Sequence, residues 1–496
     1  MKKDFFILLF IAWSCNIAAQ DIDFKEFMQR QRAEYKQFVT DRQAEYDAFR
    51  KKQNEQYAEF LRNRWEIADT HEADTVVKIT EIKPVVYEEK ETDSEYVEAV
   101  NNQIAVTDAV AFVPKAEASP KPIAPVQAKD DGNSKQVLLS YYGAPIKIKF
   151  PIKDTLKLRA LNEDDIARAW ETMSSGQYDI TIKSALDARN NSKLCDWAYM
   201  DVLEQITQKN YGRTNEAVLM HTYLMSQSGY RVRMAMSDKQ LYMLVASKYD
   251  IYGMKYIKLD NTKFYIIGKS GSDKLKICSA KFNNEQSVSM QLKDLPELSS
   301  DATPVRSFTS KKGVTVKVSC NQNLLNFFEK YPKSCINGDY TTRWAVYANT
   351  PIDNYLKETL YEQLKRIVAP LSEKDAVGLL LNWVQTAFPY KLDDEVWGED
   401  RAFFAQETLY YPYCDCEDRS ILFSRIVRDI MKLDVVLLYY PGHMATAVAF
   451  KQDVNGDYLT FENKRFVVCD PTYINAPIGK TMPGMNNTEA KIIALK

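Results

Sequence analysis

The sequence predicts an α+β protein. Large apolar residues recur every three or four positions through 421–431, which is the pattern of a mostly buried helix. Strand patterns rich in β-branched and aromatic residues follow at 435–440, 444–450 and 465–469. Near the other end of the chain, an eleven-residue aromatic repeat predicts one long helix. Helices followed by closely spaced strands favour an antiparallel sheet with helices packed on it.

The first residues predict export. Two lysines precede a short apolar stretch at 5–13, and small residues follow it, which is the order of a secretory signal peptide. We assign 1–19 to this signal and expect a periplasmic or secreted protein. The apolar stretch is too short to span a bilayer comfortably, and no other stretch predicts a transmembrane segment. Lipidation at Cys15 is the less favoured alternative, because Trp13 stands where a lipobox needs a small residue.

Residues 20–67 carry the aromatic repeat. Phe27, Phe38, Phe49 and Phe60 are spaced eleven residues apart, and tyrosines repeat with the same period. Eleven residues make three helical turns, so the aromatic stripe stays on one face of an amphipathic helix. Such a face needs a partner, which is either the chain's own globular part or another protein, including a second copy in a coiled coil. Periodicity identifies the face and leaves both partners open.

Two further regions carry no reactive motif. Residues 68–136 are rich in Pro, Ala, Lys and acidic residues, so we predict an extended, disordered linker with room for a short strand at 75–82. Residues 301–350 alternate apolar and polar side chains, as at 314–318 and 344–348, which predicts a small antiparallel sheet.

The C-terminal part, residues 351–496, supplies a thiol, an imidazole and a carboxylate in order. Cys416 begins the predicted helix, where the positive end of the helix dipole favours the thiolate. His443 opens the second predicted strand and Asp470 closes the third. Antiparallel pairing of these strands brings the two side chains together. The weak strand pattern at 458–461 would break this argument if it lay between them.

Three motifs resemble those of the transglutaminase-like domain, a papain-like class of cysteine enzymes. They are the Asp-Cys-Glu-Asp run at 415–418, Gly-His-Met at 442–444 and Asp-Pro-Thr at 470–472, in the family's order. Residues 383–390 and 403–407 resemble the helix and loop that lead to the family's nucleophile. The resemblance implies a papain-like fold, in which a helix bearing Cys packs on an antiparallel sheet bearing His and Asp.

The resemblance also implies a catalytic triad. Cys416 would be the nucleophile, His443 the general base and acid, and Asp470 the group that orients the imidazole. Cys414 is the alternative thiol. Only the backbone N–H of Cys416 is proposed as an oxyanion donor. The implied reaction is acyl transfer on peptide or isopeptide amides of a protein substrate, with hydrolysis ranked first. Glutamine crosslinking or deamidation, or a non-catalytic binding or assembly role with a vestigial triad, are the alternatives.

Residues 137–300 resemble a degenerate copy of this C-terminal domain. A shift of 203 positions lays 219–232 over 422–435 and 241–245 over 444–448. Chance similarity between two amphipathic patterns is the alternative explanation. His221 lies in the helix of the copy and is predicted to be packed or at the surface, without a catalytic role. The residues that stand at the triad positions are Arg213, Gln240 and, near the third, Gly268.

Cysteine number adds one expectation. Seven cysteines remain after removal of the signal, and an odd number leaves a free thiol. Cys320 and Cys335 are a candidate disulfide. Cys414 and Cys469 could pair or protect Cys416 by reversible exchange. The spacing of Cys414 and Cys416 does not suit zinc, so no metal is predicted.

Composition narrows the partners. The chain has 65 basic and 67 acidic residues, so nothing indicates nucleic-acid binding. It has no glycine-rich phosphate loop, and no cofactor is predicted. The expected partners are a protein or peptide substrate and whatever covers the helix at 20–67.

Overall fold

The structure is a computed structural model in which helices pack against two six-stranded sheets, antiparallel throughout except for one parallel edge pair in the second. The predicted α+β class is confirmed. Within the residues described, no helix has both the length and the apolar character needed to cross a bilayer. The predicted signal peptide lies almost entirely outside them. The described residues are 17–88, 102–106, 108–110, 120–128 and 130–495.

A long helix begins the described chain. α1 (Ile17–Asn63) ends slightly earlier than predicted, and β1 (Trp65–Asp69) follows it directly. The end of α1 is buried, where the ring of Tyr57 stacks on Phe282 with centroids 4.4 Å apart. Earlier aromatic residues are exposed, including Tyr35 at 70%. The globular part therefore covers only the end of the aromatic stripe, and a partner for the rest stays a prediction.

The segment after α1 differs from the predicted disordered linker. β1 is the edge strand of the first sheet, and β2 (Asp108–Val110) is the edge strand of the second. Between them, residues 70–88 and 102–106 follow the surface and form isolated backbone bridges. Sheet edges present unpaired N–H and C=O groups, so they bind this segment despite its composition. The short strand expected at 75–82 is found instead at β1.

The first half of the globular part contains a β-hairpin, four helices and a six-stranded sheet. From one edge to the other, this sheet contains β1 and then the strands at 274–278, 232–236, 241–246, 262–266 and 256–259. Asn162 and Thr214 cap two of the helices through their side chains, as such residues do at helix starts. The elements are β3 (Ser134–Tyr141), β4 (Ala144–Pro151), α2 (Glu163–Met173), α3 (Asp179–Asn191), α4 (Asp196–Tyr211), α5 (Asn215–Gln227), β5 (Val232–Met236), β6 (Leu241–Ala246), β7 (Tyr249–Ile251), β8 (Tyr256–Leu259), β9 (Thr262–Ile266) and β10 (Lys274–Cys278).

The middle region is only partly the small sheet that the sequence predicts. A hairpin forms, but the strand expected at 344–348 is wrong, because these residues are helical. All five side chains are buried, and a short, wholly apolar run does not distinguish a strand from a helix by periodicity. The elements here are β11 (Arg306–Thr309), β12 (Thr315–Val318), α6 (Gln322–Glu329), β13 (Ser334–Ile336) and α7 (Arg343–Asn349).

The second half packs six helices against the second six-stranded sheet, and one continuous apolar core extends through both halves. From one edge to the other, this sheet contains the strands at 458–461, 464–469, 443–449, 434–440 and 491–494, and then β2. The elements are α8 (Asn354–Leu356), α9 (Glu362–Val368), α10 (Glu373–Ala387), α11 (Asp393–Val396), α12 (Ala405–Thr408), α13 (Cys416–Ile426), β14 (Asp434–Tyr440), β15 (His443–Ala449), β16 (Tyr458–Phe461), β17 (Lys464–Cys469) and β18 (Lys491–Ala494).

The two sheets have equivalent strand orders. In each sheet, the central strand pair follows a helix; it is β5–β6 in the first sheet and β14–β15 in the second. A hairpin flanks the pair on one side, β8–β9 or β16–β17. On the other side lies a later strand, β10 or β18, and then an edge strand from the N-terminal segment, β1 or β2. Val232 pairs with Val245, and a shift of 203 positions gives Val435 and Val448, which also pair. The sequence similarity between the halves therefore extends to backbone order and register.

Candidate active site

Strands β15 and β17 bring His443 and Asp470 together. The strands pair directly and antiparallel, with Thr446 opposite Cys469, and β16 lies outside them at the sheet edge. Nε2 of His443 lies 2.9 Å from Oδ2 of Asp470, and both side chains are buried. The predicted imidazole–carboxylate contact is thus present, because the weak strand pairs on the far side of β17.

Two sets of hydrogen bonds hold Asp470, one to its carboxylate and one to its backbone carbonyl. Its Oδ1 accepts backbone N–H groups from Thr472 at 2.8 Å and Tyr473 at 3.1 Å. The side chain of Gln385, on α10, donates to the carbonyl of Asp470 at 2.9 Å and to that of Tyr473 at 2.8 Å. These bonds fix the turn and leave Oδ2 for the imidazole. Sequence reasoning did not single out Gln385, although it lies in the run 383–390.

Cys416 is the first residue of α13, as the sequence predicts. Asp415 and Asp418 form a reciprocal capping box, in which each carboxylate accepts the backbone N–H of the other residue. Asp418 also accepts the N–H of Phe403 at 2.8 Å, which ties the preceding loop to the helix start. These bonds fix the start of the helix and so position Cys416.

The thiol is directed toward a carboxylate in this structure. Sγ of Cys416 donates to Oε2 of Glu417 at 3.2 Å. Nδ1 of His443 is buried and has no hydrogen-bond partner among the described residues. The structure therefore joins two of the three predicted triad members and leaves an unused acceptor on the imidazole, while the thiol bonds elsewhere.

The surroundings of Cys416 oppose ionisation. Burial raises the pKa of the Cys416 thiol well above its usual range, and the negative charges of Glu417, Asp415 and Glu81 raise it further. The helix N-terminus favours the thiolate, as expected from the sequence, but it acts against these effects. Desolvation and three nearby carboxylates outweigh the partial charge at a helix end.

An acidic cluster surrounds the thiol. It consists of Glu81, Asp393, Asp400, Asp415 and Glu417. Burial, followed by the charge of Glu417, raises the pKa of Glu81 to about 9 and that of Asp393 to about 8. The sequence did not indicate this cluster, because its members come from separate segments that meet only in the folded chain.

The acidic cluster has spacing that a hard divalent cation could use. Ligand atoms of Glu81, Asp393 and Asp415 lie within 4.8 Å of one another, as do those of Asp393, Asp400 and Glu417. The carboxyl groups can also lie this close together without a cation if some of them are protonated, which agrees with the raised pKa values of Glu81 and Asp393.

Tyr390 is a candidate oxyanion donor that the sequence did not single out. Its hydroxyl is buried and has no hydrogen-bond partner among the described residues. Burial, then the neighbouring Cys416, raises the pKa of Tyr390, so the hydroxyl stays a neutral donor. The guanidinium carbon of Arg419 lies 5.2 Å from the centre of its ring. A fixed O–H donor beside a nucleophile suits stabilisation of a developing oxyanion.

All seven cysteines of the described chain are free. The predicted disulfide between Cys320 and Cys335 is therefore wrong. Cys320 donates to the carbonyl of Gln406 at 3.7 Å, and α6 separates it from Cys335 on β13. Cys414, the alternative nucleophile, is buried and donates to the carbonyl of Pro389 at 3.7 Å. Its thiol precedes the helix, whereas Cys416 begins it.

Comparison of the chain with protein-family models, with curated proteins and with solved structures gave no match. The fold and site define an α+β protein with a buried histidine–aspartate pair and a cysteine at a helix N-terminus. The resemblance to the transglutaminase-like class therefore stays a prediction from the three sequence motifs.

Proposed function

We propose that this protein is an exported cysteine-dependent acyl-transfer enzyme of the transglutaminase-like, papain-like class. The observation that carries the proposal is the 2.9 Å contact between His443 and Asp470, with the buried Nδ1 of His443 left unpaired. Cys416 begins the helix that packs on the same strand, and Ser420 of that helix donates to the carbonyl of Met444 at 3.0 Å. This bond holds the helix that begins with Cys416 against the strand that begins with His443, which supports a proposed role of the pair in thiol activation.

In the proposed first step, Cys416 rotates from Glu417 toward His443 when a substrate binds. Nδ1 of His443 takes the thiol proton, and Asp470 stabilises the resulting imidazolium through Nε2–H. The thiolate then attacks an amide carbonyl and forms a carbon–sulfur bond. The backbone N–H of Cys416 and the hydroxyl of Tyr390 are the candidate donors to the oxyanion.

In the proposed second step, the imidazolium gives its proton to the leaving amine, and the carbon–nitrogen bond breaks to leave a thioester on Cys416. His443 then accepts a proton from water, which attacks the thioester and releases a carboxylic acid and the thiol. We rank hydrolysis of peptide or isopeptide bonds first, because water is the default acceptor. Transfer to an amine, or deamidation of a protein glutamine, uses the same thioester.

One observation favours a second candidate, a binding or assembly protein with a vestigial triad. Sγ of Cys416 bonds to Glu417, and its pKa is raised by burial and nearby carboxylates. Such a thiol is a poor nucleophile unless the site rearranges. The two candidates differ in whether Cys416 reacts in a manner that depends on His443.

The test is peptide-mapped labelling of the mature protein, under reducing conditions, with a peptide-like cysteine electrophile. Wild type is compared with Cys416→Ala, Cys414→Ala and His443→Ala. For an enzyme, the label falls on Cys416, persists in Cys414→Ala and drops in His443→Ala. Slow labelling that is the same for wild type and His443→Ala would reject the proposal and favour the binding protein. Release of peptides from a mixed protein substrate then separates hydrolysis from amine transfer.

A further inference from the structure

The three triad residues are closed off from solvent. Cys416, His443 and Asp470 are 2%, 1% and 2% exposed. An amide substrate must reach Sγ of Cys416, so part of the protein has to leave before any reaction begins. The segment that lies over this region is the part that would have to move.

Residues 78–87, the cover segment, lie there in extended form. The N–H of Ile82 donates to the carbonyl of Gly442 at 2.8 Å, directly beside His443. Further along, Ile474, four residues after Asp470, accepts the N–H of Tyr87 at 2.8 Å and donates to the carbonyl of Val85 at 2.9 Å. The cover segment thus pairs with the chain neighbours of two triad residues through backbone groups.

Glu81 brings the same segment to the third triad residue. Its carboxylate belongs to the group with Asp393 and Asp415, and Asp415 immediately precedes Cys416. Gly442 permits the close approach: its φ is +81°, and a Cβ there would lie 2.4 Å from the carbonyl oxygen of Thr80. The geometry is that of an extended chain laid into a groove.

Most contacts of the cover segment are of a kind that any extended polypeptide can make. Backbone pairing gives affinity without regard to side-chain identity, as in strand addition to a sheet edge. The side chains of Ile82, Val85 and Val86 remain 38%, 38% and 54% exposed. Two side chains of the segment do pack: Ile79 lies against the main core, and the ring of Tyr87 meets that of Tyr473 edge-on with centroids 5.6 Å apart. Side-chain anchoring is therefore confined to these two positions.

The charged contacts hold the cover segment weakly. Lys78 pairs with Asp394 at 3.0 Å and Lys83 with Glu395 at 3.8 Å, but these side chains are largely exposed, where ion pairs contribute little. Glu81 inserts an acidic group among other acidic groups. A competing chain without that carboxyl group would avoid burying it among these acidic groups.

We infer that the surface beneath residues 78–87 is a binding groove for an extended polypeptide, and that the chain's own segment occupies it until a substrate chain takes its place. The inference rests on the proposed function for its substrate, but the occupancy of the groove is measurable without turnover. The substrate backbone then pairs with Gly442 and Ile474, which places an amide of that chain over Cys416.

The first test removes the backbone donors of the cover segment. Ile82→Pro with Tyr87→Pro deletes both N–H groups, whereas Val77→Pro with Val86→Pro is a matched control at positions where no backbone donation is recorded in the described chain. Labelling of Cys416 by iodoacetamide should accelerate at least about tenfold in the first pair and less than about twofold in the second. Equal rates in both pairs would overturn the inference.

The second test restores the segment in trans. A synthetic peptide with the sequence of residues 78–87 should slow labelling of the Ile82→Pro/Tyr87→Pro protein. The same peptide carrying both proline substitutions should not. Failure of the unmodified peptide to protect Cys416 would reject a peptide-binding groove, whatever the first test gives.

A third measurement uses the unmodified protein, in case the proline variants do not fold. Hydrogen exchange is compared after alkylation of Cys416 by a peptidyl chloromethyl ketone and by iodoacetamide, which is too small to fill the groove. The amides of Ile82 and Tyr87 should exchange faster only in the peptidyl adduct. Equal exchange in the two adducts would count against displacement. If the Ile82→Pro/Tyr87→Pro protein is labelled rapidly and adding His443→Ala does not change the rate, the inferred groove would stand and only the proposed enzymatic function would be rejected.

Discussion

The two halves of the globular part each contain a sheet with the same strand order, but they differ at the start of the preceding helix and at the strand ends. In the second half, α13 begins with Cys416, and the sheet on which it packs brings His443 and Asp470 together. In the first half, α5 begins with Asn215, whose Oδ1 accepts the N–H of Leu241 at 2.9 Å. Its side chain bonds to the start of β6, and no reactive pair takes that place. The same backbone therefore carries a thiol and an imidazole–carboxylate pair in one half and a structural bond in the other.

The only histidine of the first half's helices is part of its core. His221 on α5 is 3% exposed, and burial lowers its pKa to about 3. It is therefore a neutral, packed side chain, one of the two outcomes that the sequence predicts for it. The comparison shows that burial alone makes a histidine inert, whereas burial beside a carboxylate orients one for proton transfer.

The largest expected effect separates the two halves by activity. His443→Ala should reduce the rate of acyl transfer by about 10³-fold or more, because the proposed first step passes the thiol proton to its imidazole. Gln240→Ala, at the equivalent position of the first half, should leave the rate unchanged, because that side chain is exposed. Single-turnover acylation by an activated ester checks both. A loss in the Gln240 variant would show that the first half takes part in the reaction.

The second prediction tests whether the halves unfold together. Leu219 on α5 and Leu422 on α13 are equivalent and completely buried. Each change to alanine should lower the free energy of unfolding by about 3 kcal/mol through lost burial and a cavity. Because one core extends through both halves, urea unfolding followed by circular dichroism should show a single transition that shifts in either variant. Two transitions, each sensitive to one variant, would make the halves independent units.

The third prediction gives the halves opposite dependence of stability on pH. The folded pKa of His221, about 3, lies below its unfolded value, so its contribution is full above about pH 6.5 and declines as the pH falls toward 3. The folded pKa of Asp393, about 8, lies above its unfolded value, so its contribution is full below about pH 4 and is lost as the pH rises through 8. Melting temperatures across this range check both slopes.

Matched variants assign each slope. His221→Gln should flatten the acid side and leave the alkaline side unchanged. Asp393→Asn should do the reverse. A change on the same side in both variants would contradict the separate assignment.

The smallest effect concerns thiol reactivity. Burial raises the pKa of Cys278 in the first half to about 11, whereas carboxylates add to burial at Cys416. Glu417→Gln removes one negative charge, so the pH profile of Cys416 alkylation should move to lower pH. The profile of Cys278 should stay in place, which makes it an internal control. An unmoved Cys416 profile would remove Glu417 as a cause of the raised pKa.

Prediction from sequence worked where one pattern dominated. The eleven-residue repeat gave α1 nearly to its ends, and strand patterns around His443 and Asp470 gave the pairing that joins them. It failed at 344–348, where a short apolar run had no decisive period, and at Cys320 and Cys335, whose separation by α6 is a matter of three-dimensional arrangement. Composition also failed for the segment after α1, because sheet edges supplied partners that composition does not reveal.

The sequence by itself determined the α+β class, the helix start at Cys416 and the strand ends that hold His443 and Asp470. These are local properties, set by periodicity and by the short connections between neighbouring elements. Only the tertiary structure decided that Glu81 joins the carboxylates around the thiol and that residues 78–87 lie over the site. Such contacts join residues more than 300 positions apart, and they form because folding brings residues 78–87, the turn at Gly442 and the loop after β17 to the same place.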